Sequence, residues 1–300
     1  MTDEIRNISV IGLGLIGSSI LHALKIKCDN RYKAFVYDNN PKHRKVIKKM
    51  RIADLVFDTI TKCVENADLI ILAIPVGSMG EVVKQINPFI KKGAIITDTG
   101  STKISVIRDV KSYVPEGVFF IPSHPLAGTE HSGPESGFAS LFEKRFWIIV
   151  SNEKNEKTKK LEDLFLKFGS IVEYMDPQYH DRILAITSHL PHLIAYTIVG
   201  TASELEKDSK NDVIRFSATG FRDFTRLASS DPIMWRDVFI NNSDSVLEML
   251  QRFNEDLSSL QKLIRQKDSE KLFKFFKRTK NIRSRIIDAG QHELEDTKKK

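Results

Sequence analysis

Apolar residues in the first 175 positions come in short, dense runs, and between those runs they recur at helical spacing. Ile8, Val10 and Ile11 are β-branched and follow a short polar leader, as the first strand of a buried parallel sheet does. Further strand-like runs are Lys33 to Tyr37, Asp54 to Phe57, Asp68 to Ile74, Ala94 to Thr97, Val118 to Ile121, Arg145 to Val150 and Ile171 to Tyr174. Helical stretches separate them: the residues after Gly17, Pro41 to Met50, Val76 to Ile90, a stretch from a Ser101 N-cap to Tyr113, and Leu161 to Phe168. This alternation predicts a Rossmann-type α/β domain with a mainly parallel sheet and helices on both faces. Gly128 to Gly137, with its glycines and Pro134, reads as an irregular loop or lid.

Past Asp176-Pro177, an N-cap followed by proline at the first helical position, no strand pattern returns. We therefore expect one domain over residues 1–175 and an all-α domain over 176–300. Gln178 to Ala202 reads as a long apolar-rich helix kinked at Pro191. Asp231-Pro232 repeats the cap-then-proline start. Val246, Leu250, Phe253, Leu257, Leu260 and Ile264 form an a/d seam suited to a bundle or a dimer. Leu272 to Phe276 and Ile282 to Ile287 add a last helix, and the tail from Gln291 is expected to fray.

Gly12, Gly14 and Gly17 fall at G-x-G-x-x-G spacing between the first strand and the first helix. Gly12 allows a tight turn, Gly14 lets a pyrophosphate approach the backbone, and Gly17 lets the helix pack on the strand. The helix N-terminus offers unpaired N–H groups and a positive dipole end to phosphates. A tight turn with no ligand would use the same glycines, so Asp38 matters. It ends the second apolar run, 26 residues past Gly12. There a carboxylate accepts the ribose hydroxyls of NAD and repels the 2′-phosphate of NADP. The alternative for Asp38 is a helix cap before Pro41. Together the two features predict an NAD site.

In such sheets ligands lie beyond the carboxyl ends of the strands. Ile74-Pro75-Val76, Asp98 to Lys103 and Ser123 to Glu130 lie at those ends and are expected to converge on the nicotinamide. His124 is the leading candidate for chemistry. Pro125 biases it to an extended backbone, and an imidazole can take a proton from a hydroxyl as hydride leaves. Lys103 competes as the acid/base, or serves as a phosphate or surface lysine. In the second half, His189 and His192 are three apart, on one helix face beside Pro191. A substrate-facing role and an interhelical hydrogen bond are the alternatives for His189. No Glu or Cys at suitable spacing completes a metal site, so no metal is expected. Arg222 and Arg226 flank Asp223 beside Gly220, and either guanidinium can clamp a carboxylate through paired N–H bonds.

Composition narrows the setting. The 300 residues suit two medium domains, and 41% hydrophobic with 28% charged residues is ordinary for a soluble globular protein. Cys28 and Cys63 form no CxxC pair, which points to a reducing, cytoplasmic setting without zinc. The N-terminus lacks the layout of a signal peptide, and no run reaches the roughly 18 apolar residues of a membrane span. No membrane partner is expected. Part of the net charge of +7 sits in Lys42 to Arg51 and the Lys298-Lys299-Lys300 tail, and the rest can attract an anionic substrate and cofactor. No nucleic-acid motif accompanies the basic balance.

Five blocks occur in order: Gly12-Leu13-Gly14-Leu15-Ile16-Gly17, Asp98-Thr99-Gly100-Ser101, Ser123-His124-Pro125-Leu126-Ala127-Gly128, His189-Leu190-Pro191-His192 and Asp223-Phe224-Thr225-Arg226. The set resembles the prephenate/arogenate (cyclohexadienyl) dehydrogenases of tyrosine biosynthesis. The resemblance implies NAD-dependent oxidative decarboxylation of prephenate to 4-hydroxyphenylpyruvate, of arogenate to tyrosine, or of both. It implies a homodimer tied by an all-α C-terminal dimerisation domain. His124 would be the catalytic hydrogen-bond acceptor and Ser101 its partner near the substrate. Arg226 would bind a carboxylate. His192 and Asp223 would position substrate or partner residues, with His189 beside them, and Trp235 would lie near a dimer-shared site. The cofactor set would be Gly12, Leu13, Gly14, Leu15, Ile16, Gly17, Asp38, Ile74, Pro75 and Ser101. Arg222 stands where the family commonly has Lys. Two other readings keep the glycine turn: a β-hydroxyacid dehydrogenase or imine reductase, and a non-catalytic NAD-responsive regulator. Neither needs His124.

Overall fold

The computed structural model describes residues 4–29, 31–209 and 215–288, and the chain divides into two compact units between Val246 and Leu247. In the first unit, β1 (Asn7–Ile11), β2 (Lys33–Tyr37), β3 (Leu55–Val56), β4 (Leu69–Leu72), β5 (Ile95–Asp98) and β6 (Phe119–Phe120) form one parallel sheet. Its order is β3-β2-β1-β4-β5-β6, so the direction of winding reverses between β1 and β4. The central strands are predominantly apolar because both faces are covered. Ile8, Val10, Leu69 and Ile71 feed one core, shared with α1 (Leu15–Lys27) and α6 (Glu156–Lys167). Ile11, Ile70 and Leu72 feed the other, shared with α3 (Ile60–Val64), α4 (Met79–Ile86) and α5 (Ile104–Lys111). The expected helix from Val76 to Ile90 is split into a 3-10 turn, α4 and a second 3-10 turn at Asn87–Phe89. Pro88 has no N–H with which to continue the α pattern. Between β2 and β3 lies α2 (Pro41–Met50), capped by the Asn40 side chain, so the cap before Pro41 is Asn40 and not Asp38.

A second sheet begins where the first ends. β7 (Ser123–Pro125) pairs antiparallel with β8 (Phe146–Val150), which pairs parallel with β9 (Ile171–Met175). The Trp147 and Phe165 rings stack at 3.9 Å and seal β8 against α6. The Trp147 indole N–H donates to Ser123 Oγ at 3.0 Å. An aromatic core residue thus fixes the strand that carries His124.

Helices follow. Asp176 caps α7 (Pro177–Leu184), accepting from the Tyr179 N–H at 2.9 Å. The expected kink at Pro191 is a π-helical turn over Ala185–His189, closed by Leu190 N–H to the Ala185 carbonyl, before α8 (Leu190–Ser209). The wider turn accommodates the N–H that proline lacks. α9 (Thr219–Thr225) and a 3-10 turn at Arg226–Ser229 lead to α10 (Pro232–Asn241), capped by Asp231 as its sequence predicts. One expectation is corrected here. By length and composition the helical run 177–204 is apolar enough to cross a membrane, with mean hydropathy 1.4 over an 18-residue window within it. His, Ser and Pro interrupt it, so no uninterrupted apolar run marks it in the sequence.

α11 (Ser243–Gln266) carries the chain into the second unit, which also holds α12 (Ser269–Asp288). Lys267 adopts a left-handed conformation (φ 50°) between them, and Asp268 caps α12 through the Lys271 N–H at 3.0 Å. Along the seam Leu257 and Ile264 are exposed, as is Phe273 on α12. The tail from Gln291 lies outside the described residues.

Candidate active site

The glycine turn has the shape a dinucleotide requires. At Gly12 (φ 95°) an added Cβ would lie 2.2 Å from the Ala73 carbonyl oxygen, and at Gly17 one would lie 1.9 Å from that of Gly12. At Gly14 a Cβ would point into open space. Gly14 occupies the N-cap position of α1 without a side-chain cap, so the first N–H groups of the helix, at Leu15 and Ile16, are not taken by one. These residues fit a bound pyrophosphate. Asp38 sits at the tip of β2, nearly buried. Its Oδ2 accepts the Leu13 N–H at 2.7 Å and its Oδ1 the Asn40 N–H at 2.7 Å. Each carboxylate oxygen keeps acceptor capacity for a ribose hydroxyl. Leu13 itself is buried in the core, and its backbone ties the glycine turn to Asp38.

The three strand-end segments converge as the sheet rule requires. Asp98, at the end of β5, accepts the Gly100 N–H at 2.8 Å and the Ser123 N–H at 3.2 Å. An added Cβ on Gly100 would come within 2.7 Å of Val76, beside Ile74 and Pro75. Lys103 is fully buried and ion-paired to Asp98, and it also donates to the Ser123 carbonyl at 2.7 Å. It is therefore a brace and not the phosphate or surface lysine its sequence position allowed. Burial pushes its ammonium below the usual lysine range, against the pull of Asp98. Ser101 does not cap α5. That helix begins at Ile104, and the Asp181 carboxylate from α7 takes the Lys103 and Ile104 N–H groups at 2.7 and 2.9 Å. An acid 77 residues downstream supplies the cap.

His124 is central in β7, 7% exposed. Its Nδ1 lies 2.9 Å from His180 Nε2, and His180 Nδ1 lies 2.8 Å from Asp181 Oδ1. Burial holds His124 well below the ordinary histidine range, and the charges of His180, Lys103 and His189 press the same way. His124 is therefore neutral at pH 7, the state a proton acceptor needs.

The helical residues gather on the same side. Asn242 Nδ2 donates to the Asp181 carbonyl at 2.8 Å and faces His189 Nδ1 at 3.1 Å. His189 thus makes the interhelical bond that was one of its two readings. Its Nε2 is buried and meets no hydrogen-bond partner among the described residues. Burial lowers its pKa to about 4, against the pull of Asp181 and the Ser101 backbone. His192 Nδ1 donates to the Ser188 carbonyl at 2.9 Å, one turn back, and its ring stacks on Trp235 at 3.7 Å. Burial lowers the His192 pKa, and the Arg226 charge adds to that. Arg226 reaches Glu130, on the loop after β7, at 3.2 Å. Trp235 is buried, with its indole N–H unpartnered among the described residues. Asp223 and Arg222 are exposed on α9. Among the described residues no group of three His, Cys, Asp or Glu side chains is placed to hold a metal.

Sequence reasoning missed His180, Asp181, Asp98 as a partner of Lys103, and Glu130. A His-Asp pair just after the Asp176-Pro177 helix start was the available signal for the first two.

The nucleotide-binding domain model of prephenate dehydrogenase matches residues 22–174, and the prephenate dehydrogenase dimerization domain model matches 176–278. Cyclohexadienyl dehydrogenase from Zymomonas mobilis is 39% identical over 280 residues, which cover 93% of this chain and 95% of that protein. Prephenate dehydrogenase from Bacillus subtilis is 32% identical over 280 residues, covering 92% of this chain and 75% of its own. Among solved structures, prephenate dehydrogenase from A. aeolicus in complex with hydroxyphenyl propionate and NAD+ superposes with a TM-score of 0.87 at 31% identity, covering 95% of this chain and all (100%) of its own.

Proposed function

The chain belongs to the prephenate dehydrogenase family, and from that membership we propose which residues carry the NAD-dependent oxidation of prephenate, arogenate or both. When bound, NAD+ accepts the hydride that leaves the hydroxyl-bearing ring carbon, after which loss of CO2 makes the ring aromatic. Gly12, Gly14 and Gly17, with the N–H groups of Leu15 and Ile16, hold the pyrophosphate, and Asp38 with the Leu13 turn holds the adenosine ribose. Ile74, Pro75 and Ser101 flank the nicotinamide. His124 accepts the hydrogen bond and then the proton of the ring hydroxyl, with Ser101 as its partner at that oxygen. Arg226 binds a substrate carboxylate, and His192 on Trp235 forms the facing wall. Asp223 and His189 complete the positioning set. The protein supplies position and electrostatics.

The observation that carries this reading is the buried, neutral His124, whose Nδ1 is engaged by His180 and whose Nε2 is left as the acceptor. Incubating the enzyme with NAD+ and each of the two substrates, and following NADH absorbance, tests it. NADH formation with neither substrate would overturn it. The hydroxyacid dehydrogenase and imine reductase alternatives are not favoured, because the family match extends through both halves of the chain.

Residues 1–175 serve NAD binding, and 176–300 serve substrate binding and pairing with a second copy. The two family matches meet at that boundary and support the division. On the run 177–204, Ile186, Ile198 and Val199 remain exposed, and the seam of α11 is open at Leu257 and Ile264. We assign these faces to homodimer contact and not to a membrane. The run also bears His180, Asp181, His189 and His192, whose polar contacts belong to the site. We place the enzyme in the cytoplasm, where Cys28 and Cys63, both buried free thiols, stay reduced.

A further inference from the structure

We propose that His180 and Asp181 are positioning residues that act through His124: they dictate which of its ring nitrogens carries the proton, and so keep Nε2 as the acceptor. The inference rests on the reading of His124 given above and adds the device that prepares it.

Each link has one allowed polarity. Asp181, as a carboxylate, only accepts hydrogen bonds. Its Oδ1 lies 2.8 Å from His180 Nδ1, so that nitrogen bears the proton. A neutral His180 then has a bare Nε2. That atom lies 2.9 Å from His124 Nδ1, which must donate. A neutral His124 with its proton on Nδ1 has its lone pair on Nε2. An imidazole in water favours the opposite tautomer, with the proton on Nε2, where it cannot take a proton from a hydroxyl. The chain of bonds therefore selects the less common form.

The surroundings hold each member in place. Asp181 cannot rotate freely, because its Oδ1 also accepts the Lys103 N–H and its Oδ2 the Ile104 N–H, at 2.7 and 2.9 Å. Its carbonyl is tied to Asn242 at 2.8 Å. His180 and Asp181 are both fully buried, so water does not compete for the bonds. His124 is held from the other side by β8, where it stands opposite Ile148. When His124 takes a proton on Nε2, its Nδ1–H still points at His180, and Asp181 lies one ring further on. The carboxylate thereby stabilises the new positive charge without contacting substrate.

The test uses the full-length enzyme labelled with ¹⁵N-histidine, with the His124 signals identified by their loss in His124→Asn. At neutral pH the ring nitrogen shifts should report a proton on Nδ1 of His124. His180→Asn keeps a partner for Asp181 but withdraws the acceptor from His124. It should move His124 toward the Nε2–H form and lower kcat roughly 10²-fold, with substrate KM changed less than about threefold. His180→Gln, whose amide oxygen can accept from Nδ1–H, should restore the tautomer and recover kcat to within roughly tenfold of wild type. Finding the Nε2–H form in the wild-type enzyme overturns the proposal, and so does wild-type kcat in His180→Asn. Should His180→Asn not fold, the wild-type tautomer and the His180→Gln variant decide the matter. Full turnover in His124→Asn would instead remove the underlying reading of His124 while leaving the tautomer result intact.

Discussion

The Arg226 guanidinium lies 3.2 Å from the Glu130 carboxylate, joining the turn after α9 to the loop that follows His124. The pair is half exposed on the arginine side, and such pairs contribute at most about 1 kcal/mol to folding. Folding stability therefore does not account for the pair, in keeping with the substrate role proposed above for Arg226. Arg226→Ala should leave the melting temperature and NAD+ affinity near wild type and raise the substrate KM about 10- to 100-fold, the loss expected for one charge-assisted contact. Steady-state kinetics with saturating NAD+ measure it, and an unchanged KM removes Arg226 from the substrate site.

His124→Asn removes the proton acceptor while keeping a polar group on β7. The β7–β8 pairing and the Ser123 contacts to Trp147 and Asp98 do not involve the imidazole, so the fold should persist. Turnover should fall by roughly 10²- to 10⁴-fold, with NAD+ binding preserved. Single-turnover NADH formation together with NAD+ titration separates the two quantities. A turnover near wild type would end the assignment.

Acid should affect rate and stability in different windows. Burial, reinforced by the neighbouring His180, Lys103 and His189, holds His124 well below the usual histidine range, while Asp98 and Asp181 oppose the effect of burial at His180. The enzyme thus binds substrate with His124 already neutral, and kcat/KM should stay flat as pH falls from 8 through about 6.5. His124, His180, His189 and His192 all couple stability to acid, and His189 shows the sign. Its folded pKa of about 4 lies below the 6.5 of the free side chain, so the unfolded chain binds the extra proton first. The His189 contribution is complete above pH 6.5, falls as pH drops, and is lost below about 4, a loss of order 3 kcal/mol from this group. Urea unfolding at stepped pH measures the slope, and stability that rises on acidification through this window contradicts the assignment.

What the residues disclosed on their own follows the range of the interactions. The turn at Gly12, Gly14 and Gly17, Asp38 at a strand tip and the Asp-Pro helix starts are local, and each can be read within one element. His124 stood out because strand order alone puts its segment at the ligand end of the sheet. The bonds that make it useful were hidden. His180 meets it across 56 residues, and Asp181 caps α5 across 77. The sequence suggests Ser101 as that cap because nothing local reveals a better acceptor arriving from α7. Lys103 looked like surface because its partner, Asp98, sits on a different element, five residues back, and only folding buries both.

That buried pair carries its own consequence. Lys103 and Asp98 are both fully buried, and Asp98 also collects the Gly100 and Ser123 N–H groups. Lys103→Met keeps much of the volume but leaves the carboxylate without its counter-charge. The loss should be about 3–5 kcal/mol, larger than for any exposed ion pair in the molecule. Lys103→Met combined with Asp98→Asn should recover part of it, since an amide no longer buries a charge. Denaturant unfolding of the two variants decides the matter, and a Lys103→Met protein as stable as wild type shows that the pair is no brace.

The proposed ribose contact at Asp38 makes cofactor choice testable. Its two oxygens are held by the Leu13 and Asn40 N–H groups, so the carboxylate is fixed before ligand arrives. Behind it, Arg44 donates to the Asp38 carbonyl at 2.6 Å and lies over the Tyr37 ring, and His43 faces Oδ2 at 3.3 Å. The carboxylate therefore stands beside a basic cluster, and with NAD bound as proposed its charge would repel a 2′-phosphate. Asp38→Ser keeps one acceptor for the turn and removes that charge. The NAD+ KM should rise about 10- to 100-fold as the charge-assisted ribose bonds are lost. The NADP+ to NAD+ ratio of kcat/KM should rise as well, because Arg44 and His43 are then unopposed. Melting temperature serves as the control for the lost Asn40 or Leu13 bond. An unchanged NAD+ KM with an intact fold would show that Asp38 braces the glycine turn and does not read the ribose.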